Sequence, residues 1–307
     1  MTKKIFITGG AGFIGSAIVK KLQEQGHSLF IFDDLSFGSR KFVNICDAQF
    51  AKENILDGNV LKKALIKFSP DIVIHLAAIH FIPYCNEHPF DSANINILGT
   101  ANVLNACKEL PNLEKILFAS TAAVYPVYDG AIHETLDPKP SDIYGLSKFA
   151  GEELCKKFFL ETQVPTIICR FFNAFGPNET NPHLIPAILD QVISGSSIIK
   201  IGNTVPKRDY IHTSDMANAV TLLIQKFNAG LDTFNLGQGM EYSVIEVIQA
   251  FEKVLERPLQ METDMLRVRK TDRLHLLADI TKIKNFTGWA PAVSLEEGIK
   301  TLIHEHC

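Results

Sequence analysis

The sequence predicts an α/β chain: a doubly wound parallel sheet with a smaller, interleaved C-terminal α/β lobe. Three observations predict it. Runs rich in β-branched residues, KIFITG (4–9), SLFIFD (28–33), DIVIHLA (71–77), KILFAS (115–120) and TIICRF (166–171), are apolar at successive positions, as strands covered on both faces require. Segments of helical period at 14–25, 60–68, 94–108 and 147–162 alternate with them, often closed by Gly or Pro. After Phe175 the alternation stops at the turn-rich GPNETNPH. Parallel neighbours need a crossover and a helix supplies it, so residues 1–175 form the sheet domain. Residues 176–307 are expected mainly in the lobe. They comprise a helix at LIPAILDQVISG, a strand at RDYIH, a helix at 214–227, a strand at TFNLG, a helix at 243–255 and a closing amphipathic helix, with segments near 209–237 returning to the sheet.

Taken in chain order, the first strand runs into TGGAGFIG (8–15), which satisfies both the spacing Gly9, Gly12, Gly15 and the spacing Gly10, Gly12, Gly15 before a helix opens. Glycines there allow a tight turn and let a pyrophosphate approach backbone N–H groups at a helix N-terminus, so the sheet reads as a Rossmann-type dinucleotide fold. The second strand ends in Asp33, 18 residues beyond Gly15. A carboxylate at that point accepts the adenosine ribose hydroxyls and repels a 2′-phosphate, which selects NAD over NADP. Asp34 adds to the repulsion, and Arg40 alone nearby could soften it. The third apolar run closes in HLAA (75–78), small residues that suit close passage of a dinucleotide. The fourth ends in Ser120-Thr121, hydroxyls at the edge where open α/β sheets bind ligands.

Tyr144 and Lys148 follow in DIYGLSKFAGEE, four apart on one helical face. A tyrosine with pKa near 10 is a poor base at neutral pH. Lowering it by ~3 units takes roughly 4 kcal/mol of phenolate stabilisation, which a lysine ammonium one turn away and a positively charged nicotinamide can supply. The hydroxyl pair and Tyr144 together suit proton transfer at a substrate oxygen.

The 307 residues, 46% hydrophobic and 21% charged, form one large domain or two intimately joined ones. A net charge of -4 without clustered basic residues argues against nucleic acid or an anionic membrane as partner. The N-terminus, MTKK before IFITGG, lacks a signal-length apolar stretch and no later segment approaches a membrane span, so a cytoplasmic location is expected. The six cysteines lie far apart, with no CxxC and no metal-like pairing with histidine, and are expected as reduced thiols without a metal site.

TGGAGFIG, Asp33, HLAA, STAAVY, YGLSK, RFFNAFGPN, KRDYIHTSD and ADITKIKNFTGWAP occur in the order found in the extended short-chain dehydrogenase/reductases. Over nearly its whole length the chain resembles their NAD-dependent sugar-nucleotide epimerases and dehydratases, most closely the UDP-glucose 4-epimerase branch. The resemblance implies that Gly9, Gly12, Phe13, Ile14 and Gly15 hold the pyrophosphate, Asp33 the ribose, and Asn54-Ile55 the adenine edge. It further implies that Asp34, Ser36, Gly38, Leu76, Ala77, Ala78, Asn96 and Phe171 line the cofactor. Tyr144 would be the base, Lys148 its electrostatic partner and nicotinamide-ribose ligand, and Thr121 the hydroxyl on the sugar. Asn173, Arg208 and Arg269 resemble substrate diphosphate ligands, His183-Leu184 part of the nucleobase and sugar wall, and His80 a further substrate contact. The family dimerises through two helices per subunit in a four-helix bundle, here 94–108 and 147–162.

The chain departs from the pattern at Asn54, where an Asp is frequent, at Pro126, where a Gly follows VY, and at His80, where a lysine contacts the cofactor. Dehydratases and decarboxylases of the family carry an acid two places after the Thr, yet here stand Ala122 and Ala123, and methyl groups perform no acid–base work. C4 epimerisation of a UDP-linked sugar is the expectation. A dehydratase or C3/C5 epimerase using His80 or Cys85 remains the alternative, and an idle NAD-binding regulator is the alternative of another class.

Overall fold

The structure, a computed structural model, describes residues 2–268 and 273–306. Its strands are β1 (Lys4–Thr8), β2 (Ser28–Phe32), β3 (Phe50–Ala51), β4 (Ile72–His75), β5 (Lys115–Thr121), β6 (Ala131–Ile132), β7 (Thr166–Phe171), β8 (Asn173–Phe175), β9 (Ile198–Ile201), β10 (Lys207–His212), β11 (Leu231–Leu236), β12 (Glu241–Ser243), β13 (Gln260–Thr263) and β14 (Leu277–Ala278). Its helices are α1 (Phe13–Glu24), α2 (Gly58–Phe68), α3 (Ile82–Glu87), α4 (Pro89–Ala93), α5 (Thr100–Cys107), α6 (Ile143–Thr162), α7 (Leu184–Ile193), α8 (Thr213–Lys226), α9 (Val244–Leu255), α10 (Thr281–Thr287) and α11 (Leu295–His306).

Among the described residues the largest sheet has seven strands in the order β11-β7-β5-β4-β1-β2-β3, and every pairing in it is parallel. The order reverses between β1 and β4, which opens a crevice at the carboxyl ends of the strands. Alternation along each strand divides the core in two. Ile5, Ile7, Ile31, Ile74 and Leu117 face one side and pack with Ile18 and Val19 of α1 and Met216, Val220 and Leu223 of α8. Phe6, Val73, Ile116 and Phe118 face the other and pack with Leu61 of α2, Val103 of α5 and Phe158 of α6. Both faces are covered, as the uninterrupted apolar runs require.

The remaining elements build smaller sheets. β10 pairs parallel with β8 and antiparallel with β12, β9 with β13, and β6 with β14. Ile188, Leu189, Val247, Phe251, Ile299 and Leu302 of α7, α9 and α11 make their core together with Ile199 and Tyr210.

Local differences from the sequence pattern have identifiable causes. The helical stretch at 94–108 opens as a π-helical turn, Asn94–Gly99, before α5 begins. Two short helices, α3 and α4, precede it, each with proline in its first turn, where a missing N–H costs nothing. α6 starts at Ile143 rather than 147 because Asp142 accepts the Gly145 N–H at 2.7 Å and caps the helix. β5 ends at Thr121, as the hydroxyl pair after KILFA predicts.

Candidate active site

The loop after β1 is shaped by backbone proximity. Gly9 has φ +72°, and a Cβ on it would lie 2.5 Å from the Ala77 nitrogen. A Cβ on Gly15 would lie 2.1 Å from the Gly9 oxygen, so the first turn of α1 seats against the loop only without a side chain. Gly12 is the N-cap of α1, with Phe13 and Ile14 in its first turn. Gly38 closes over this loop, where a Cβ would meet the Ala11 oxygen at 2.4 Å, and Ser39 N–H donates to that oxygen at 3.0 Å.

Asp33, buried just past β2, accepts from Ala11 N–H and from Leu35 N–H, each at 2.9 Å. Burial raises its pKa, and the two N–H groups partly offset that rise. Asp34 accepts from Asn54 Nδ2 at 2.7 Å and from Ser36 N–H at 2.9 Å, which fixes the loop against the residue before Ile55. Ile55 itself is buried in the core. Arg40 is turned away from this acidic pair. It donates to the Val43 and Ile45 oxygens, lies over the Phe50 ring at 5.0 Å, and leaves the repulsion at Asp33 and Asp34 unsoftened.

Leu76, Ala77 and Ala78 leave β4 beside Thr8, whose backbone oxygen accepts the Leu76 and Ala77 N–H groups. Asn96, buried in the π-helical turn, accepts from Ile79 N–H at 2.8 Å and donates to Ile79 O and to Ser147 Oγ, both at 2.9 Å. One amide thus ties the loop after β4 to the helix that carries Tyr144 and Lys148. His75 is neutral and structural: it bonds Thr8 and Thr100, and burial drives its pKa down to about 3.

Thr121 ends β5 level with Phe171 of β7, and its Oγ1 accepts from Ala123 N–H at 3.1 Å. Burial raises the Tyr144 phenol pKa, and the Thr121 hydroxyl beside it opposes the rise. Lys148, 1% exposed, holds its ammonium 4.2 Å from the centre of the Phe118 ring. Burial lowers its pKa to about 8. Ser120 is not available at this edge. It donates to Glu152, which also accepts from Arg170 Nε at 2.9 Å and Nη2 at 2.7 Å, so the first hydroxyl of the pair belongs to a buried polar network.

Asn181 Nδ2 contacts His80 Nε2 at 2.9 Å, and the His80 and His183 rings are 6.0 Å apart. Burial lowers the His80 pKa to about 4, which keeps the imidazole neutral. His183 caps α7 immediately before Leu184 and lies 3.4 Å from Glu179. Asn173 opens β8 opposite Tyr210 of β10, and Arg208 lies two residues earlier on β10. Arg208 donates to the backbone oxygens of Lys207 and Arg273 at 2.7 Å. Arg269 lies outside the described residues. Arg273, which sequence spacing did not single out, reaches Ala123 O and Ser141 Oγ. Glu179, Asn181 and Ser147 were missed in the same way, since only the fold brings them to the site.

A cradle emptied of side chains, an acid at the second strand end and a Thr–Tyr–Lys group at the fourth fit a dinucleotide and one hydroxyl-bearing substrate. The family model described as NAD dependent epimerase/dehydratase family matches residues 5–237. The chain is 32% identical over 312 residues to a UDP-glucose 4-epimerase of Halalkalibacterium halodurans, covering 94% of this chain and 90% of the relative. A UDP-glucose 4-epimerase of Thermotoga maritima, solved with UDP-glucose, superposes with a TM-score of 0.89 at 28% identity, covering 98% of this chain and 97% of that one. A Thermus thermophilus UDP-glucose 4-epimerase in complex with NAD also gives a TM-score of 0.89, at 27% identity, covering 99% and 98%.

Proposed function

The chain belongs to the NAD dependent epimerase/dehydratase family, and from that premise we propose that it inverts C4 of a UDP-linked sugar through a transient 4-keto sugar. The observation that carries this reading is the meeting of Thr121, Tyr144 and Lys148 beside two alanines. Ala122 is packed in a small core with Val124, Tyr125 and Phe172, and the Ala123 oxygen is taken by Arg273. The two positions after Thr121, where the family's dehydratases carry their acid, hold these methyl groups.

NAD fits the cradle. Gly9, Gly12, Phe13, Ile14 and Gly15 would face its pyrophosphate and Asp33 its ribose. Asp34, Ser36, Gly38, Asn54, Ile55, Leu76, Ala77, Ala78, Asn96 and Phe171 would surround the rest. When bound, the nicotinamide supplies the acceptor that takes the C4 hydrogen and returns it to the opposite face.

Tyr144 removes the proton from the C4 hydroxyl, and Thr121 donates to the same oxygen and orients it. The Lys148 ammonium stabilises the phenolate that must form before Tyr144 can take this proton, and repays part of what burial costs that charged form. After the keto sugar turns over, Tyr144 returns the proton. Asn173 and Arg208 would hold the diphosphate, with the guanidinium matching phosphate oxygens by its fork geometry. His80, His183 and Leu184 would line the sugar and base. Burial lowers the His80 pKa to about 4 and raises that of the Cys85 thiol, so both groups rest uncharged.

Two further features belong to this proposal. The lobe centred on α7, α9 and α11 would carry the UDP-sugar, and the sheet domain the cofactor. Leu98, Leu146 and Leu160 are exposed on the π-helical turn and α6, which suits a homodimer joined by α5 and α6 of each copy as a four-helix bundle. The described cysteines are unpaired, which fits a reducing, cytoplasmic setting.

The test is a proton NMR time course of purified protein with UDP-glucose, UDP-N-acetylglucosamine and UDP-glucuronate. One of them should give its C4 epimer without solvent deuterium at C5. Absence of any epimer, or deuterium at C5, would overturn the reading.

A further inference from the structure

Three charged side chains lie together beneath the site, and each is almost sealed from solvent: Lys148 is 1% exposed, Glu152 0% and Arg170 4%. α6 carries the first two. Tyr144, Lys148 and Glu152 follow at steps of four residues, so phenol, ammonium and carboxylate are set along one helical face in that order. The cation in the middle is one turn from each.

The bed under that cation is apolar. Gly151 lets the helix settle on β5, since a Cβ there would lie 2.5 Å from the Phe118 ring, and the Lys148 ammonium rests 4.2 Å from the centre of the same ring. An aromatic face attracts a cation but carries no full charge. Glu152 supplies one. Its carboxylate accepts from Arg170 Nε at 2.9 Å, from Arg170 Nη2 at 2.7 Å and from the Ser120 hydroxyl, all inside the protein.

The other titratable groups around Lys148 bring no negative charge. Burial lowers the pKa of His75 on β4 to about 3 and that of His80 in the following loop to about 4, and both rings feel the lysine. Cys85 of α3 lies toward Tyr144, and burial raises its thiol. Burial also lowers Lys148 itself, with Cys155 and Glu152 opposing; the Cys155 thiol is raised by burial and rests uncharged, which leaves the carboxylate. Arg170 brings a second positive charge to this layer, so loss of Glu152 would strand two buried cations.

We propose that Glu152 is a positioning residue for the reaction: paired with Arg170, it fixes a carboxylate one turn behind the Lys148 ammonium, so that the lysine keeps its charge and presents it to Tyr144. The inference rests on the function proposed above and deepens it, because the cation that supports the phenolate gains a counter-charge built into the fold.

The experiment follows Lys148 directly, by carbon NMR of NAD-loaded protein labelled at lysine Cε, with the resonance assigned from K148R. Wild type, E152Q, E152D and the double variant E152L/R170M are titrated, and kcat is measured against pH with the accepted UDP-sugar. In E152Q the lysine should titrate about one pH unit or more below wild type, as loss of a nearby opposite charge dictates, and the alkaline fall in kcat should move down with it. E152D keeps the charge and should move clearly less. E152L/R170M replaces the pair by apolar groups of similar size, which buried ion pairs commonly tolerate, and should keep the fold while still lowering the titration. A Lys148 titration in E152Q within about 0.3 pH units of wild type overturns the proposal; should E152Q not fold, the same result in the double variant does so. A shift in E152D as large as that in E152Q also overturns it, since lost packing and not lost charge would be the cause. So does an alkaline fall that stays in place while Lys148 shifts. If wild type produces no epimer, the function fails, while the carbon titration decides the pairing of Glu152 with Lys148 on its own.

Discussion

Lys148 and Tyr144 share one environment with opposite consequences. Burial raises the phenol pKa and lowers the lysine pKa to about 8, so it disfavours the charged form of each. The sign for activity follows from the lysine. Its ammonium is fully present below about pH 8 and disappears as pH rises through that value, so its support for the phenolate fades there. The proposed epimerase rate should fall above about pH 8. Lys148→Arg, whose side chain stays charged throughout, should be slower but should lose that alkaline fall, and Tyr144→Phe should lose about 10²- to 10⁴-fold at every pH. A Lys148→Arg profile with the same fall near pH 8 would assign it to another group. The pair was legible in sequence because four residues make one helical turn. Arg273 was not, because its partner Ala123 is 150 positions away, and no local period encodes such a contact. The partner of Ser120 was hidden for the same reason: Glu152, 32 positions on, becomes its neighbour only when α6 packs on β5.

At the scale of elements, α6 is pinned to the sheet by charge as well as by apolar contact. Glu152 is fully buried, Arg170 of β7 is nearly so, and they form a bidentate pair that also receives Ser120. The Arg170 guanidinium lies over the Tyr125 ring at 4.6 Å. Removing one member of such a pair leaves the other charge buried without compensation, at a cost of about 3–5 kcal/mol. Glu152→Gln should therefore lower the unfolding free energy by about that amount in urea titration; a loss below about 1 kcal/mol would mean that Arg170 finds another partner. The strands of the main sheet other than the two-residue β3, and the helices covering it, could be read from their apolar runs and periods. The π-helical turn at Asn94–Gly99 could not, since its extra-wide winding exists to place Asn96 between the β4 loop and Ser147. Nor could the three-stranded sheet of β8, β10 and β12, in which two members have three residues each and no measurable period.

At the scale of the whole molecule, the proposed dimer turns on the exposed leucines of the π-helical turn and α6. Sedimentation should give about twice the 34.1 kDa of one chain, and Leu160→Glu, on a 70%-exposed position, should shift the protein toward monomer with its fold intact. A wild-type protein that sediments as a single chain would remove the bundle from the proposal. The seven-stranded sheet also sets a timetable for the chain during synthesis. Tyr125, just past the strand that delivers Thr121, donates its hydroxyl to Asn235, 110 residues later, at 2.7 Å. Lys115, at the start of the same strand, reaches the Ile224 and Phe227 oxygens and Asn228. β11, at one edge of the sheet, pairs among the described residues with β7 alone. A nascent chain holding the glycine loop, Thr121, Tyr144 and Lys148 thus still lacks the partners that fix β5 at both ends. The β7 edge of its sheet stays unpaired until residue 236 leaves the ribosome, and during that interval the growing polypeptide is exposed to pairing with its neighbours.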